Sequence, residues 1–219
     1  MIKQCTYLAA CLAAAWAGGA SAQEARFPGL RIEAVGGLDI TGAKLAYEDT
    51  AFPADNFAVT EDTTGAVFGF GIGYDARIGQ GTYVGIEGGY EWSDNERCEA
   101  VYGGDSACFS LKRNYFVGVR GGGRLSSAAL AYGGIAYVNG KGEVSYSDPA
   151  APADNFAFSD NRGGYRVSVG VEQRLGKNVY GKLEYRYTDY ADYTYTSGTE
   201  TATLSFDRNQ VIAGVGVRF

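Results

Sequence analysis

The chain has 219 residues and a formal charge of −6, with 33 glycines, 17 tyrosines, four prolines and no histidine. Its acidic balance argues against nucleic acid as a partner, and the missing histidine excludes a Ser-His-Asp or Asp-His hydrolase and any His-ligated haem or zinc centre. Beyond residue 22 no apolar run approaches the roughly twenty residues that a membrane-spanning helix needs.

Residues 1–22 read as a secretory signal. Lys3 supplies a short positive start, residues 7–16 an apolar region, and Ala20-Ser21-Ala22 a small-x-small cleavage site before Gln23. The apolar part is too short, and too soon followed by Gly18 and Gly19, to span a bilayer as a helix. Leu8-Ala9-Ala10-Cys11 resembles a lipoprotein cleavage box, but cleavage there would leave too little apolar sequence upstream. The expected organisation is a cleaved signal over 1–22 and one domain over 23–219, with a formal charge of −7 because the signal carries one lysine and no acid. That domain keeps Cys98 and Cys108 in one polar stretch of an exported chain. A local disulfide is expected there, contributing about 2–3 kcal/mol if unstrained. No metal is expected on these cysteines, since no histidine completes a zinc set.

Dyad alternation marks the strands. Over 30–40, Leu30, Ile32, Ala34, Gly36 and Leu38 oppose Arg31, Glu33, Val35, Gly37 and Asp39. A polar segment then runs to about Thr63. Over 65–76, Ala66, Phe68, Phe70, Ile72 and Tyr74 oppose Gly65, Val67, Gly69, Gly71, Gly73 and Asp75. A sheet with one face in water would place Lys, Thr or Glu opposite those rings; glycine suits the crowded inside of a narrow barrel. After a turn at 77–81, Val84, Ile86, Tyr90 and Trp92 oppose Tyr83, Gly85, Glu87, Gly89 and Glu91. The cysteine segment follows, then 111–121, with Tyr115, Val117 and Val119 against Lys112, Asn114, Phe116, Gly118 and Arg120. Residues 129–139 form a strand of open facing, because Leu130, Tyr132 and Val138 are about as apolar as Ile135 and Tyr137. Next, Tyr165, Val167, Val169 and Val171 oppose Arg166, Ser168, Gly170, Glu172 and Arg174; after a tight turn at 175–178, Leu183, Tyr185 and Tyr187 oppose Lys182, Glu184 and Arg186. The final stretch sets Val211, Ala213, Val215, Val217 and Phe219 against Gln210, Ile212, Gly214, Gly216 and Arg218.

The number of strands, eight, is even, as a single-chain barrel requires, and the connections alternate between about five to seven and about eighteen to twenty-four residues. The expected fold is therefore all-β: an eight-stranded antiparallel up-and-down transmembrane β-barrel with four long extracellular loops and short periplasmic turns, in the Gram-negative outer membrane. A soluble barrel of the lipocalin kind is the alternative; the loop alternation and the aromatic at Phe219 weigh against it. Phe219, in an interfacial girdle, is the expected assembly signal, and its free carboxyl end is placed on the periplasmic side with all four long loops outside.

The chain also repeats itself. Tyr47-x-Asp49-x-x-x-Pro53-Ala54-Asp55-Asn56-Phe57-Ala58 recurs as Tyr146-x-Asp148-x-x-x-Pro152-Ala153-Asp154-Asn155-Phe156-Ala157, and Val117-Gly118-Val119-Arg120 recurs as Val215-Gly216-Val217-Arg218. Tyr83-x-x-Ile86-Glu87-x-x-Tyr90 likewise matches Tyr180-x-x-Leu183-Glu184-x-x-Tyr187. Two four-strand halves follow, with the first and third long loops as counterparts. Asp55, Asn56, Phe57, Asp154, Asn155 and Phe156 are the candidate loop surface, for a partner or a cation; the alternative is rim packing inherited by duplication.

The small or polar faces carry Arg31, Lys112, Arg120, Arg166, Arg174, Lys182, Arg186 and Arg218 against Glu33, Asp39, Asp75, Glu87, Glu91, Glu172 and Glu184. Inside a closed barrel such charges persist only by pairing or by meeting trapped water. A lumenal ion-pair network is expected rather than a general acid and base, because so narrow a barrel leaves no room for a substrate. Ser106 and Ser159 have no base beside them, and the tyrosines are accounted for by interfacial girdles before any haem ligation. The loop acids Glu48, Asp49, Glu61, Asp62, Asp94, Glu96, Glu99 and Asp105 read as solvated, with divalent cations bridging to lipopolysaccharide as the alternative. No cofactor is expected.

With the strands placed, the chain resembles the small eight-stranded outer-membrane proteins of the opacity-protein and OmpA-like transmembrane-domain group, and most of all the alphaproteobacterial outer membrane immunogenic, or porin-family, proteins. The resemblance rests on residues 166–175, on Gly181-Lys182-Leu183-Glu184-Tyr185-Arg186-Tyr187-Thr188-Asp189-Tyr190, and on the ending at Phe219. It implies a barrel inserted by the outer-membrane assembly machinery among outer-membrane lipid and lipopolysaccharide, serving envelope integrity or surface interaction through its loops, without enzymatic activity. A narrow diffusion channel and a loop-borne adhesin or haem binder are the alternatives. The cysteine-closed second loop is not a feature the resemblance brings.

Overall fold

The computed structural model describes residues 27–100 and 104–219; the expected signal over 1–22 lies outside the described residues. Alternation folds into ten antiparallel strands: β1 (Gly29–Asp49), β2 (Phe57–Arg77), β3 (Thr82–Ser93), β4 (Glu96–Ala100), β5 (Ser106–Arg124), β6 (Ala129–Ser147), β7 (Phe156–Arg174), β8 (Val179–Tyr190), β9 (Tyr193–Ser197) and β10 (Glu200–Arg218). Eight of them form a ring in the order β1-β2-β3-β5-β6-β7-β8-β10, closed by pairing of β1 with β10 from Arg31↔Arg218 to Asp49↔Glu200. β4 and β9 are short additions to the upper ends of β5 and β10.

The ring turns one side-chain set out and the other in. Ile32, Leu38, Phe70, Ile72, Ile86, Val117, Val119, Val169, Val211 and Val215 stand exposed on the outside, while Arg31, Glu33, Asp75, Glu91, Arg120, Arg166 and Glu172 are buried inside. Water would not tolerate such an outer wall, and lipid favours it. Near its exterior end the wall carries linked aromatics: Phe68 stacks on Trp92, Phe70 on Tyr90, Tyr90 meets Tyr115 edge-on, and Tyr137 meets Tyr165. The open facing of residues 129–139 is settled by pairing. Val138, Tyr132 and Leu130 turn inward and Ile135 and Tyr137 outward, because Arg120↔Gly134 places even-numbered residues of β6 beside the lumenal face of β5.

Two expectations change. The long connections are largely strand: β1 and β2 each run 21 residues, and the apparent polar loops are antiparallel extensions that keep alternating after the lipid ends. They read as polar because their outer face no longer meets hydrocarbon. Lys112, expected inside, is the extra residue of a bulge between Leu111 and Arg113 and turns outward to Glu96 at 3.3 Å. The bulge also reverses the phase of β5 above it, so Leu111 rather than Lys112 is buried.

Beyond the lipid the ring opens. β2 pairs with β3 only between Val67 and Arg77, and β7 with β8 only between Gly164 and Arg174. Above those points the described strands form two separate four-stranded sheets, β9-β10-β1-β2 and β4-β5-β6-β7. The hairpins β1-β2 and β6-β7 stand on opposite walls, four places apart in the eight-membered ring.

Glycine inside the wall is a packing requirement. A Cβ on Gly73 would stand 2.6 Å from the Arg31 guanidinium, and one on Gly71 would stand 3.2 Å from the Glu33 side chain. On the lipid side, a Cβ on Gly36 meets only ordinary contact with Phe68 at 3.5 Å. Gly73→Ala is therefore expected to lower stability by about 1–3 kcal/mol through overpacking, and Gly36→Ala to stay within about 0.5 kcal/mol. Denaturant midpoints of the refolded barrel, read by heat-modifiable migration on a gel, check the difference.

Candidate functional site

The lumen holds one connected set of charges. Arg120 donates to both Asp75 oxygens at 2.8 and 2.5 Å and to Glu172 at 2.5 Å; Arg218 reaches the same Asp75 and Glu172 at 2.6 Å each. The four make an alternating square. Arg31 joins it through Asp75 at 3.4 Å and extends it to Glu87 at 2.5 Å and Glu33 at 3.1 Å. From Glu33 the set continues to Lys182 at 2.5 Å, then to Glu184 at 3.1 Å, then through Arg186 to Glu91, which Arg166 grips at 3.0 and 2.8 Å. Tyr180 donates to Glu33 at 2.7 Å and Tyr132 to Glu184 at 2.5 Å, satisfying lone pairs that the cations leave. A separate pair, Arg208 with Asp39, sits nearer the exterior beside Tyr190 and Ser93.

Seven cations therefore meet seven carboxylates among the described lumenal pairs. Each charge comes from a strand that presents it inward by parity. Apolar clusters occupy the rest of the lumen. Phe27, Tyr83 and Leu130 pack at the periplasmic mouth; Val35, Val67 and Ile212 pack midway; Val138, Tyr190 and Phe206, with Phe109 and Phe116 against them, cover the exterior end. Phe109 of one projecting sheet stacks on Phe206 of the other, with centroids 5.0 Å apart and planes 6° from parallel.

The two repeated tips fold alike. Pro53–Asp55 and Pro152–Asp154 each form a single 3-10 turn, followed by Asn56 and Asn155 with φ of −64° in both. The Asn56 side-chain oxygen accepts from the Asp49 amide at 2.7 Å, as Asn155 does from the Asp148 amide at 2.7 Å. Tyr47 stacks on Phe57 at 5.5 Å and Tyr146 on Phe156 at 5.7 Å. The Ala51 amide, donating to Asp49, holds that carboxyl below the usual carboxylate range. Asn56 and Asn155 thus serve their own turns, and Phe57 and Phe156 lean on the neighbouring strand while staying half exposed. The side chain of Asp154 lies outside the described residues.

Most expected lumenal residues meet: Arg31, Glu33, Glu87, Arg120, Arg166, Glu172, Lys182, Glu184, Arg186 and Arg218 all belong to the network. Arg174 is half-buried at the periplasmic end of β7, opposite Tyr180. Arg208 was not expected inside. Carrying the alternation of the closing strand back by one step, from Gln210, would have found it. Cys98 and Cys108 form the expected disulfide, as directly opposed residues of the β4-β5 hairpin. The same two sulfurs and Glu96 are near enough together to hold a metal, but the disulfide occupies both thiols.

A closed ring of eight strands, apolar toward lipid and ion-paired within, is an outer-membrane β-barrel. The chain belongs to the outer membrane protein β-barrel domain family, whose profile matches residues 8–219, and it is a protein of the Gram-negative outer membrane. It is 32% identical over 142 residues to a 22 kDa outer membrane protein of Rhizobium leguminosarum bv. viciae, covering 60% of this chain and 63% of that protein. It is 33% identical over 58 residues to the 25 kDa outer-membrane immunogenic protein of Brucella canis, covering 26% and 27%. The match spans less than two thirds of either relative's length. Among solved structures it is similar to Neisserial surface protein A, with a TM-score of 0.45 and 15% identity over 84% of this chain and 97% of that one.

Asp75 is the most shared carboxylate, held by Arg31, Arg120 and Arg218. Asp75→Asn leaves three buried guanidiniums short of one charge and is expected to cost about 3–5 kcal/mol. Arg97→Gln, which breaks an exposed pair with Glu99, is expected to cost less than about 1 kcal/mol. Urea unfolding of both variants in the same lipid checks the contrast.

Proposed function

We propose that this protein is a non-enzymatic envelope barrel whose lumen is sealed and whose two projecting sheets carry surface interactions. The observation that supports this reading best is the continuous filling of the lumen, from Phe27, Tyr83 and Leu130 through the charge network to the Phe109–Phe206 stack. A through-path would have to break buried ion pairs, and a buried charge stripped of its partner costs on the order of 3–5 kcal/mol. Outer-membrane lipid and lipopolysaccharide surround the wall, and the assembly machinery inserts it. Phe219 is the assembly signal in this reading: its ring is 68% exposed on the lipid side and its amide donates to Leu30 at 2.8 Å, at the seam of the ring.

A narrow diffusion channel is the second reading. What favours it is a pair of buried lumenal amides: both polar side-chain atoms of Gln210 and the Oδ1 of Asn114 lack a protein partner and would hold ordered water, while the Nδ2 of Asn114 donates to Glu91 at 3.4 Å.

Planar-bilayer recording separates the two readings. The purified barrel is expected to show no discrete conductance steps at moderate voltage, and stable steps would overturn the sealed reading. Deleting Phe219 is expected to lower outer-membrane levels several-fold without changing any ligand affinity of the molecules that do insert. Fractionation and surface labelling read that result, and normal levels would remove Phe219 from its role.

A further inference from the structure

The projecting part of β2 pairs with β1 alone among the described strands; β4 stands beside it without pairing, and its Arg97 reaches Glu61 at 3.7 Å. Ala66 directs its backbone away from β1: its C=O accepts from the Asp94 amide at 3.1 Å and its N–H donates to the Asp94 side chain at 2.5 Å. In an antiparallel strand every second residue points the same way. Thr64, Asp62, Thr60 and Ala58 therefore present N–H and C=O groups on that side, where no described strand pairs with them. β7 repeats the arrangement in part: Gly163 accepts from the Ala191 amide at 2.9 Å, and beyond it Asn161, Ser159 and Ala157 face no described strand, although the Asn161 amide already donates to the Asp160 side chain at 2.8 Å.

Exposed edges are ordinarily blunted by lysine, proline or a bulge. Residues 57–64, Phe-Ala-Val-Thr-Glu-Asp-Thr-Thr, contain neither residue and pair with β1 in unbroken register. Their inward side offers exposed Phe57 and Val59. Their outward side offers Asp62, the end of a row of carboxylates that runs through Asp207 to Asp189 across adjacent strands. Asp62 and Asp207 converge over Gly42, and burial together with the neighbouring Asp62 pushes the Asp207 carboxyl above its usual range. The surroundings have the same sign: residues 42–66, 94–113, 141–162 and 189–207 hold 17 Asp and Glu against 6 Lys and Arg.

We propose that this free edge of β2 takes an extended, cationic amphipathic peptide segment of a partner protein as an added strand, with the edge of β7 as a second and weaker site. The proposal rests on the surface-interaction reading above and names the partner's chemistry. Backbone hydrogen bonds to residues 58–64 supply the affinity, apolar side chains of the segment lie beside Phe57 and Val59, and alternate basic side chains lie beside Asp62. A second copy of this chain does not fit, because edge-to-edge pairing would set Glu61 and Asp62 against their own kind. The β7 edge is weaker because Asn161 stands where the duplication places Asp62 in β2.

The test uses the purified full-length barrel in zwitterionic nanodiscs and an octapeptide alternating lysine and valine. A block peptide of the same composition and a glutamate-for-lysine peptide are the controls. The alternating peptide is expected to bind saturably, about tenfold tighter than either control, with affinity falling as salt rises and with amide exchange slowed at residues 58, 60, 62 and 64. Thr60→Pro removes a free-edge N–H and spares the ladder to β1, so it should weaken binding about tenfold, and Ser159→Pro should weaken it less. Asp62→Asn, which leaves the backbone alone, should reduce affinity and flatten its salt dependence. Heat-modifiable migration confirms that each variant is folded. Equal binding of the block peptide, exchange protection elsewhere, or no binding would overturn the proposal. Conductance recorded on the same sample distinguishes that failure from failure of the sealed-barrel reading.

Discussion

Arg120, Arg218, Asp75 and Glu172 come from four different strands and cancel one another in the lumen at 2.5 to 2.8 Å. A buried guanidinium without a carboxylate is a cost of several kcal/mol, while a paired one roughly breaks even against an apolar core. The square is therefore better read as a device of specificity than of stability. Sliding any of its strands by one residue would send an arginine or a carboxylate into lipid and bring a Val or Tyr into the lumen. The ring, the inward facing of the glycines and the lipid-facing wall all depend on holding that register.

The square also sits where the two halves of the chain meet. Arg120 corresponds to Arg218 at an offset of 98 residues, and Asp75 to Glu172 at the offset of 97 that relates Tyr83 to Tyr180, so each half supplies one cation and one acid. The closure of β1 on β10 is then the counterpart of the internal pair β5-β6, and each projecting sheet is built across the two halves. The divergences fall in the projecting region. The Lys112 bulge and the Cys98–Cys108 bridge occur in the first half only, and Asp62 is answered by Asn161. Lumenal positions have diverged within charge balance, while the sheets have diverged in chemistry.

Strand number, facing and most of the network were legible because lipid on one side and a packed lumen on the other impose a strict period of two. Where that contrast weakens, legibility weakens with it. Over 129–139 both faces are apolar, since β6 carries Leu130 and Val138 inside, and only pairing with β5 decides between them. Lys112 misled because a bulge changes phase without leaving a mark in composition. Residues 41–64 looked like loop because an extension with water on its outer face is as polar as a loop, although Leu45, Tyr47, Phe57 and Val59 keep the period. Long-range partners such as Arg166 with Glu91 follow from ring geometry, which no local pattern carries.

Lumenal charges cancel among themselves, so the molecule's net charge resides at its two ends. The projecting strands and tips carry 17 acidic against 6 basic side chains, and the periplasmic turns and strand ends carry Arg77, Arg124, Arg174 and Lys177. A partner approaching from outside meets a field stronger than the −7 expected for the mature chain suggests, and the paired lumen contributes little to it beyond a Debye length of about 8 Å. Composition alone hides this polarity because the buried pairs and the basic turns dilute it. The exterior of the barrel is thus selective by sign before any contact forms, and the unpaired edge of β2 lies within that acidic region.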